Sequence, residues 1–182
     1  MNFEATTLAG VYLVTPRVFG DARGFFLESW NAGTFRDAGF DITFVQDNHS
    51  RSRGGTLRGL HYQTRHTQGK LVRVTAGRVF DVAVDLRRDS PGFGHWFGAM
   101  LDAVDHQMLW IPPGFAHGFY VVSDSADFQY KCTDSYDPES EVTLAWDDPE
   151  IGIDWPLLDD RAPALSDKDR RGLPLEKAPL LE

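Results

Sequence analysis

Pro112-Pro113-Gly114-Phe115-Ala116-His117-Gly118-Phe119 sets a histidine just beyond a Pro-Pro-Gly turn, at the head of an aromatic, β-prone run. Proline and glycine fix the turn, and the residues after them favour an extended chain. A second histidine lies in Leu57-Arg58-Gly59-Leu60-His61-Tyr62-Gln63, an apolar run that reads as a buried strand. Around it gather Gln46-Asp47-Asn48-His49-Ser50 upstream and Lys70 downstream. Burying such groups is costly unless a ligand or a network satisfies them. The two segments therefore predict strands that carry polar side chains into an interior site.

Working outward, short β-branched or aromatic runs recur along the chain. They are Val11 to Val14, Gly24 to Glu28, Leu71 to Thr75, Val79 to Leu86, Trp96 to Leu101, Met108 to Ile111, Phe119 to Val122, Phe128 to Cys132 and Val142 to Trp146. Gly, Pro, Asp and Ser punctuate them. Val72 and Val74, then Val79 to Leu86 beyond Ala76-Gly77-Arg78, read as a hairpin. One helix is expected from Ala32 to Ala38, capped by Asn31 and ended by Gly39. A further helical turn is expected after Ser166, capped by its hydroxyl. The pattern predicts a single all-β domain over residues 1–182. Its jelly-roll barrel core covers roughly 40–150, with N-terminal strands and a C-terminal helical tail. In such a barrel alternate residues of each strand point inward, so several strands contribute to one site.

Composition excludes several classes. The chain has 182 residues, 25% charged and 42% hydrophobic, enough for a full core and not disordered. A net charge of −9 argues against a nucleic-acid partner, which demands a basic face. Cys132 is the lone cysteine, so no internal disulfide is expected and a reduced, cytoplasmic setting is. The first residues lack a basic and apolar leader pattern, and no apolar run reaches membrane-spanning length, so no membrane association is expected.

The Pro-x-Gly-x-x-His pattern is half of the cupin signature. A metal-binding cupin would carry His-x-His with a later glutamate, where this chain has His61-Tyr62-Gln63. Two isolated histidines make a poor three-ligand site, so neither a metal nor another cofactor is expected. His61 is a candidate proton acceptor, since imidazole is the side chain whose charge changes near neutral pH. A carboxylate from Leu165-Ser166-Asp167-Lys168-Asp169 is the best candidate to orient it. Lys70 heads a strand whose alternation turns its ammonium inward. Tyr130 and Cys132 share one face of their strand, expected to be the inner one.

Assembled, these segments resemble the dTDP-4-dehydrorhamnose 3,5-epimerase family. The matching stretches also include Asp21-Ala22-Arg23-Gly24-Phe25-Phe26 and Tyr130-Lys131-Cys132-Thr133, and the set spans nearly the whole chain in the family's order. The resemblance implies a metal-free cupin-type jelly roll, a homodimer, acting on a dTDP-4-keto-6-deoxy sugar. It implies His61 as base, Asp169 as its partner, Tyr130 as acid and Lys70 as the cation near the C4 oxygen. It further implies substrate contacts by Arg23, Phe26, Glu28, Gln46, Asn48, Arg58, His117, Tyr136, Glu141 and Lys168. Three alternatives stay open at this point: an epimerase of one carbon only, a metal-dependent cupin oxygenase or isomerase, and a non-catalytic sugar-nucleotide binding module.

Overall fold

A computed structural model describes residues 1–179 and 181. Two antiparallel sheets face each other. One runs in the order β1 (Asn2–Ala5), β2 (Tyr12–Thr15), β10 (Met108–Ile111), β7 (Lys70–Ala76), β12 (Ser125–Cys132), β5 (Gln46–Arg53). The other runs β13 (Glu141–Thr143), β6 (Leu57–Gln63), β11 (Phe115–Val121), β8 (Arg78–Asp85), β9 (Trp96–Asp102). A separate ribbon pairs β3 (Val18–Asp21) with β4 (Gly24–Leu27).

The principal core fills the space between the sheets. Val72, Val74, Leu109 and Phe128 come from one sheet, and Val79, Ala83, Leu101, Phe115 and Phe119 from the other. Fully burying one such side chain stabilises the fold by about 1.5–3 kcal/mol. Both sheets are also covered on their outer faces. Ile151, Trp155 and Leu175 of the C-terminal segment pack on Tyr62, Val82, Val84 and Tyr120. Phe35 packs with Val14, Leu71, Met108 and Trp110 on the other side. Double coverage explains why β10 and β11 are buried at every position and why β10 reads as an unbroken apolar run.

The helix α1 covers Ala32–Asp37, close to its expected bounds. Asn31 Oδ1 accepts from the Thr34 amide at 3.1 Å, and Gly39 follows with φ of +94°. Six residues are too few for a helix to hold itself, so the buried Phe35 anchors it. Three short 3-10 turns, Leu158–Asp160, Asp169–Arg171 and Leu175–Lys177, make up the helical part of the tail.

The hairpin expected around Gly77 does not form. β7 pairs with β10 and β12, whereas β8 pairs with β11 and β9. A single residue between the strands cannot make a two-residue hairpin loop, and the chain instead crosses from one sheet to the other. Gly77 has φ of +76°, and a Cβ there would meet the Ser125 carbonyl oxygen at 2.0 Å. The corner thus demands glycine.

Strands β1, β3 and β5 carry too little apolar alternation to be read from sequence. β5, Gln46–Arg53, is wholly polar and is held by eight register pairs with β12. Among the described residues no helix is long and apolar enough to cross a membrane.

Candidate active site

A cavity of about 350 Å³ opens between the sheets at one end of the barrel. β6 and β11 give it His61 and His117, register partners across the antiparallel pair. β7 and β12 give it Lys70 and Tyr130 from the opposing sheet. Arg58 also lines it, although residues 58 and 61 would fall on opposite faces of a regular strand. A register shift between β6 and β11 resolves the conflict. At that shift Gly59 and Gly118 let the two backbones close up, since a Cβ on Gly59 would meet the Gly118 Cα at 2.5 Å.

His61 Nε2 and Asp169 Oδ1 are 2.6 Å apart, with Asp169 on the 3-10 turn Asp169–Arg171, which touches β6. An ionised carboxylate only accepts, so Nε2 carries the proton in this bond and Nδ1 is left bare toward the cavity. Ser166 holds Asp169 twice: its hydroxyl donates to Oδ2 at 2.7 Å and accepts from the Asp169 amide at 3.1 Å. Burial pushes the Asp169 carboxyl up, but the hydrogen bonds from His61 and Ser166 outweigh it and hold the group below 3.8.

Lys70 is buried to 8% exposure, and its ammonium makes no hydrogen bond to another described residue. Burial pulls its pKa below 10.5, partly offset by Cys132 and Glu141 nearby. The Tyr130 hydroxyl is pushed above 10.0, chiefly by burial, so it stays protonated through neutral pH. Cys132 lies opposite Lys70 in register and accepts from Asn48 Nδ2 at 3.6 Å. Its burial leaves the thiol protonated.

The rim is a connected set. Gln46 Oε1 accepts from the Tyr136 amide at 2.9 Å, and its Nε2 donates to Asn48 Oδ1 at 3.0 Å. Glu141 accepts from Tyr136 Oη at 2.8 Å and from Lys168 Nζ at 2.7 Å. Arg58 Nε donates to Ser52 Oγ at 2.9 Å, and among the described residues Arg58 has no carboxylate partner. Gln63 ties down the loop that presents Tyr136, donating to Ser135 O and accepting from the Asp137 amide. Its polarity in the sequence is thus structural.

His61, Asp169, Tyr130 and Lys70 are brought together, and with them Gln46, Asn48, Arg58, His117, Tyr136, Glu141 and Lys168. Three expected contacts stay apart within this chain. Arg23 sits at the tip of the β3–β4 ribbon, 90% exposed and paired with Asp21. Phe26 is 69% exposed on the same ribbon, and Glu28 accepts from Asn31 beyond it. Ribbon and cavity share no lining residue. Asp81 was not anticipated: it is fully buried and bonded to His117 Nε2 at 2.9 Å. Alternation along Val79, Asp81 and Ala83 places it inside the barrel, and that period was the available signal. Among the described residues no three His, Cys, Asp or Glu side chains are gathered as a metal site.

A family model described as dTDP-4-dehydrorhamnose 3,5-epimerase matches residues 5–177. The chain belongs to the dTDP-4-dehydrorhamnose 3,5-epimerase family. It is 60% identical over 172 residues to the dTDP-4-dehydrorhamnose 3,5-epimerase of Pseudomonas aeruginosa, covering 93% of this chain and 94% of that one. The Salmonella typhimurium enzyme of the same name is 51% identical, covering 97% of each chain. The crystal structure of dTDP-6-deoxy-D-glucose-3,5-epimerase from Legionella pneumophila in complex with dTDP-4-keto-L-rhamnose superposes with a TM-score of 0.96. That chain is 49% identical, and the match covers 100% of this chain and 97% of that one. The cupin-like jelly roll expected from the sequence is thereby the fold of this epimerase family member.

Because its folded-state pKa is depressed, Asp169 stabilises the fold fully above 3.8, and that contribution is lost as pH falls through the lower folded value. Carbon NMR of the Asp169 carboxyl should show titration below 3.8, moving upward in His61→Ala as burial loses its main counterweight. A carboxyl that titrates at the same pH in both proteins would contradict the pairing.

Proposed function

We infer that this chain catalyses epimerisation at C3 and C5 of dTDP-4-dehydro-6-deoxy-D-glucose, giving dTDP-4-dehydro-L-rhamnose. The observation that carries the reading is the meeting of two sheets at one cavity. The His61–Asp169 pair enters from one sheet, and the Tyr130 hydroxyl and Lys70 ammonium enter from the other.

The chemistry follows from the substrate's ketone. Hydrogens on C3 and C5 are both α to C4, so removal of either produces an enolate on the same oxygen. His61 Nδ1 takes the proton, while Asp169 supports the imidazolium that results. The Lys70 ammonium, without a hydrogen-bond partner among the described residues, faces the developing charge on the C4 oxygen. Inversion requires that a proton return on the opposite face. Tyr130, standing on the opposing sheet and protonated at neutral pH, supplies it. Retention of the whole dyad, acid and cation argues against a binding module.

Remote contacts hold the reacting ring in place. Arg58 and Lys168 are the cations at the rim suited to the diphosphate, which accounts for local positive charge in a chain of net charge −9. Gln46, Asn48 and Tyr136 provide donors, acceptors and an aromatic face for the nucleoside, with Glu141 fixing Tyr136 and Lys168. His117 lines the sugar end. All of residues 1–182 is assigned to this one catalytic domain.

We further propose a homodimer in which the β3–β4 ribbon carries Arg23 and Phe26, with Glu28 following, to the partner's cavity. The ribbon supports this: Val18, Phe19, Phe25 and Phe26 are 42%, 51%, 61% and 69% exposed, an apolar surface that a lone chain leaves in water. The buried lone thiol of Cys132 suits the reduced cytoplasm as its compartment.

Proton NMR of the keto sugar in deuterated water tests the reaction. The wild type should place deuterium at both C3 and C5 and invert both. His61→Ala should lower turnover by about 10²–10⁴-fold while dTDP still binds. Tyr130→Phe should slow inversion more than proton removal. Wild-type turnover in His61→Ala, or exchange at one carbon only, would overturn the assignment. Sedimentation should give twice the 20.5 kDa chain mass, and a 20.5 kDa particle at micromolar concentration would count against the dimer.

A further inference from the structure

Of the buried carboxylates that the proton-transfer scheme leaves unused, Asp81 is the one with a side-chain oxygen that has no hydrogen-bond partner among the described residues. Asp81 on β8 is 0% exposed, within a barrel wall of Val79, Ala83, Phe119 and Phe128. Its Oδ2 lies 2.9 Å from His117 Nε2, and its Oδ1 has no partner among the described residues. A carboxylate half-satisfied in an apolar interior is costly to keep. A residue serving only to fill the barrel would be apolar, as its neighbours are. The histidine it grips is 93% buried, stacks on Phe128 and lines the reaction cavity beside His61. In the antiparallel pair His117 stands directly opposite His61, so the two rings share a wall, each with a carboxylate on Nε2. His117 Nδ1 makes no hydrogen bond within the described chain, and it is not among the buried atoms left unsatisfied. It is therefore the ring nitrogen that the cavity reaches.

We propose that Asp81 is a positioning residue acting through His117. By accepting a hydrogen bond from Nε2–H from behind, it fixes the ring's tautomer and rotation, so that Nδ1 is the atom offered to the sugar next to the His61 base. This rests on the epimerase reading for its kinetic consequence, but its structural part stands separately. The same logic orients catalytic and ligand-contacting histidines generally: the hydrogen bond on one ring nitrogen decides what the other can do.

Two measurements on the full chain test it. Nitrogen NMR of the wild-type protein should show His117 protonated at Nε2, and a ring protonated at Nδ1 with Nε2 bare would overturn the proposal without any variant. Kinetically, Asp81→Asn should lower kcat about 10–100-fold while dTDP affinity stays within about twofold. In a His117→Ala background the same substitution should add less than about a twofold loss, because Asp81 then has nothing to position. Equal losses from Asp81→Asn with and without His117 would assign Asp81 a structural role and sink the proposal. Should the wild type fail to epimerise the sugar, the epimerase reading falls, while the nitrogen spectrum still decides the Asp81 claim.

Discussion

An imidazole 2.6 Å from a buried carboxylate is the contact on which the rest of this molecule is arranged. For His61 to accept a proton at Nδ1, Nε2 must be held protonated and the ring kept from turning. Asp169 does both, and the fold is organised to bring it there. The chain leaves the barrel after β13, covers the outer face of the five-stranded sheet with Ile151 and Trp155, and returns so that Ser166 and Asp169 reach β6. The tail is thus both a hydrophobic cover and the source of the partner carboxylate. Loss of its packing would remove the carboxylate that holds His61 along with the apolar contacts.

The opposing sheet supplies what this pair lacks. Lys70 is buried without a hydrogen-bond partner among the described residues, and that desolvation disfavours its charged form. Tyr130 is kept protonated by the same desolvation. One physical setting, burial between two sheets, therefore lowers the lysine and raises the tyrosine. Both shifts suit removal of a proton next to a carbonyl and its return from the far side.

Much of this was legible in the residues themselves. Strand character came from β-branched and aromatic runs, the helix from Asn31 and Gly39, and the site from polar groups set in apolar surroundings at His61, Lys70 and Tyr130. What escaped has physical causes. β5 has no apolar alternation, and its extended form comes from pairing with β12, a tertiary effect that local propensity does not encode. The Gly77 corner looks like a hairpin because both flanking runs alternate, yet which sheet each joins is settled by long-range pairing. Arg58 reaches the cavity through a strand irregularity that a strict period of two would forbid. Asp81 hid within a valine-rich run, its partner 36 residues away. Arg23, Phe26 and Glu28 lie away from the cavity within this chain, and the homodimer proposed above is what would give them a place at a site.

The central claim is that Asp169 makes His61 a base. Deuterium wash-in at C5 of the keto sugar, followed in Asp169→Asn, measures it most directly, since an amide keeps the shape but no longer enforces the tautomer. Exchange should slow by about 10²–10⁴-fold with dTDP binding intact. Exchange at the wild-type rate would contradict the account.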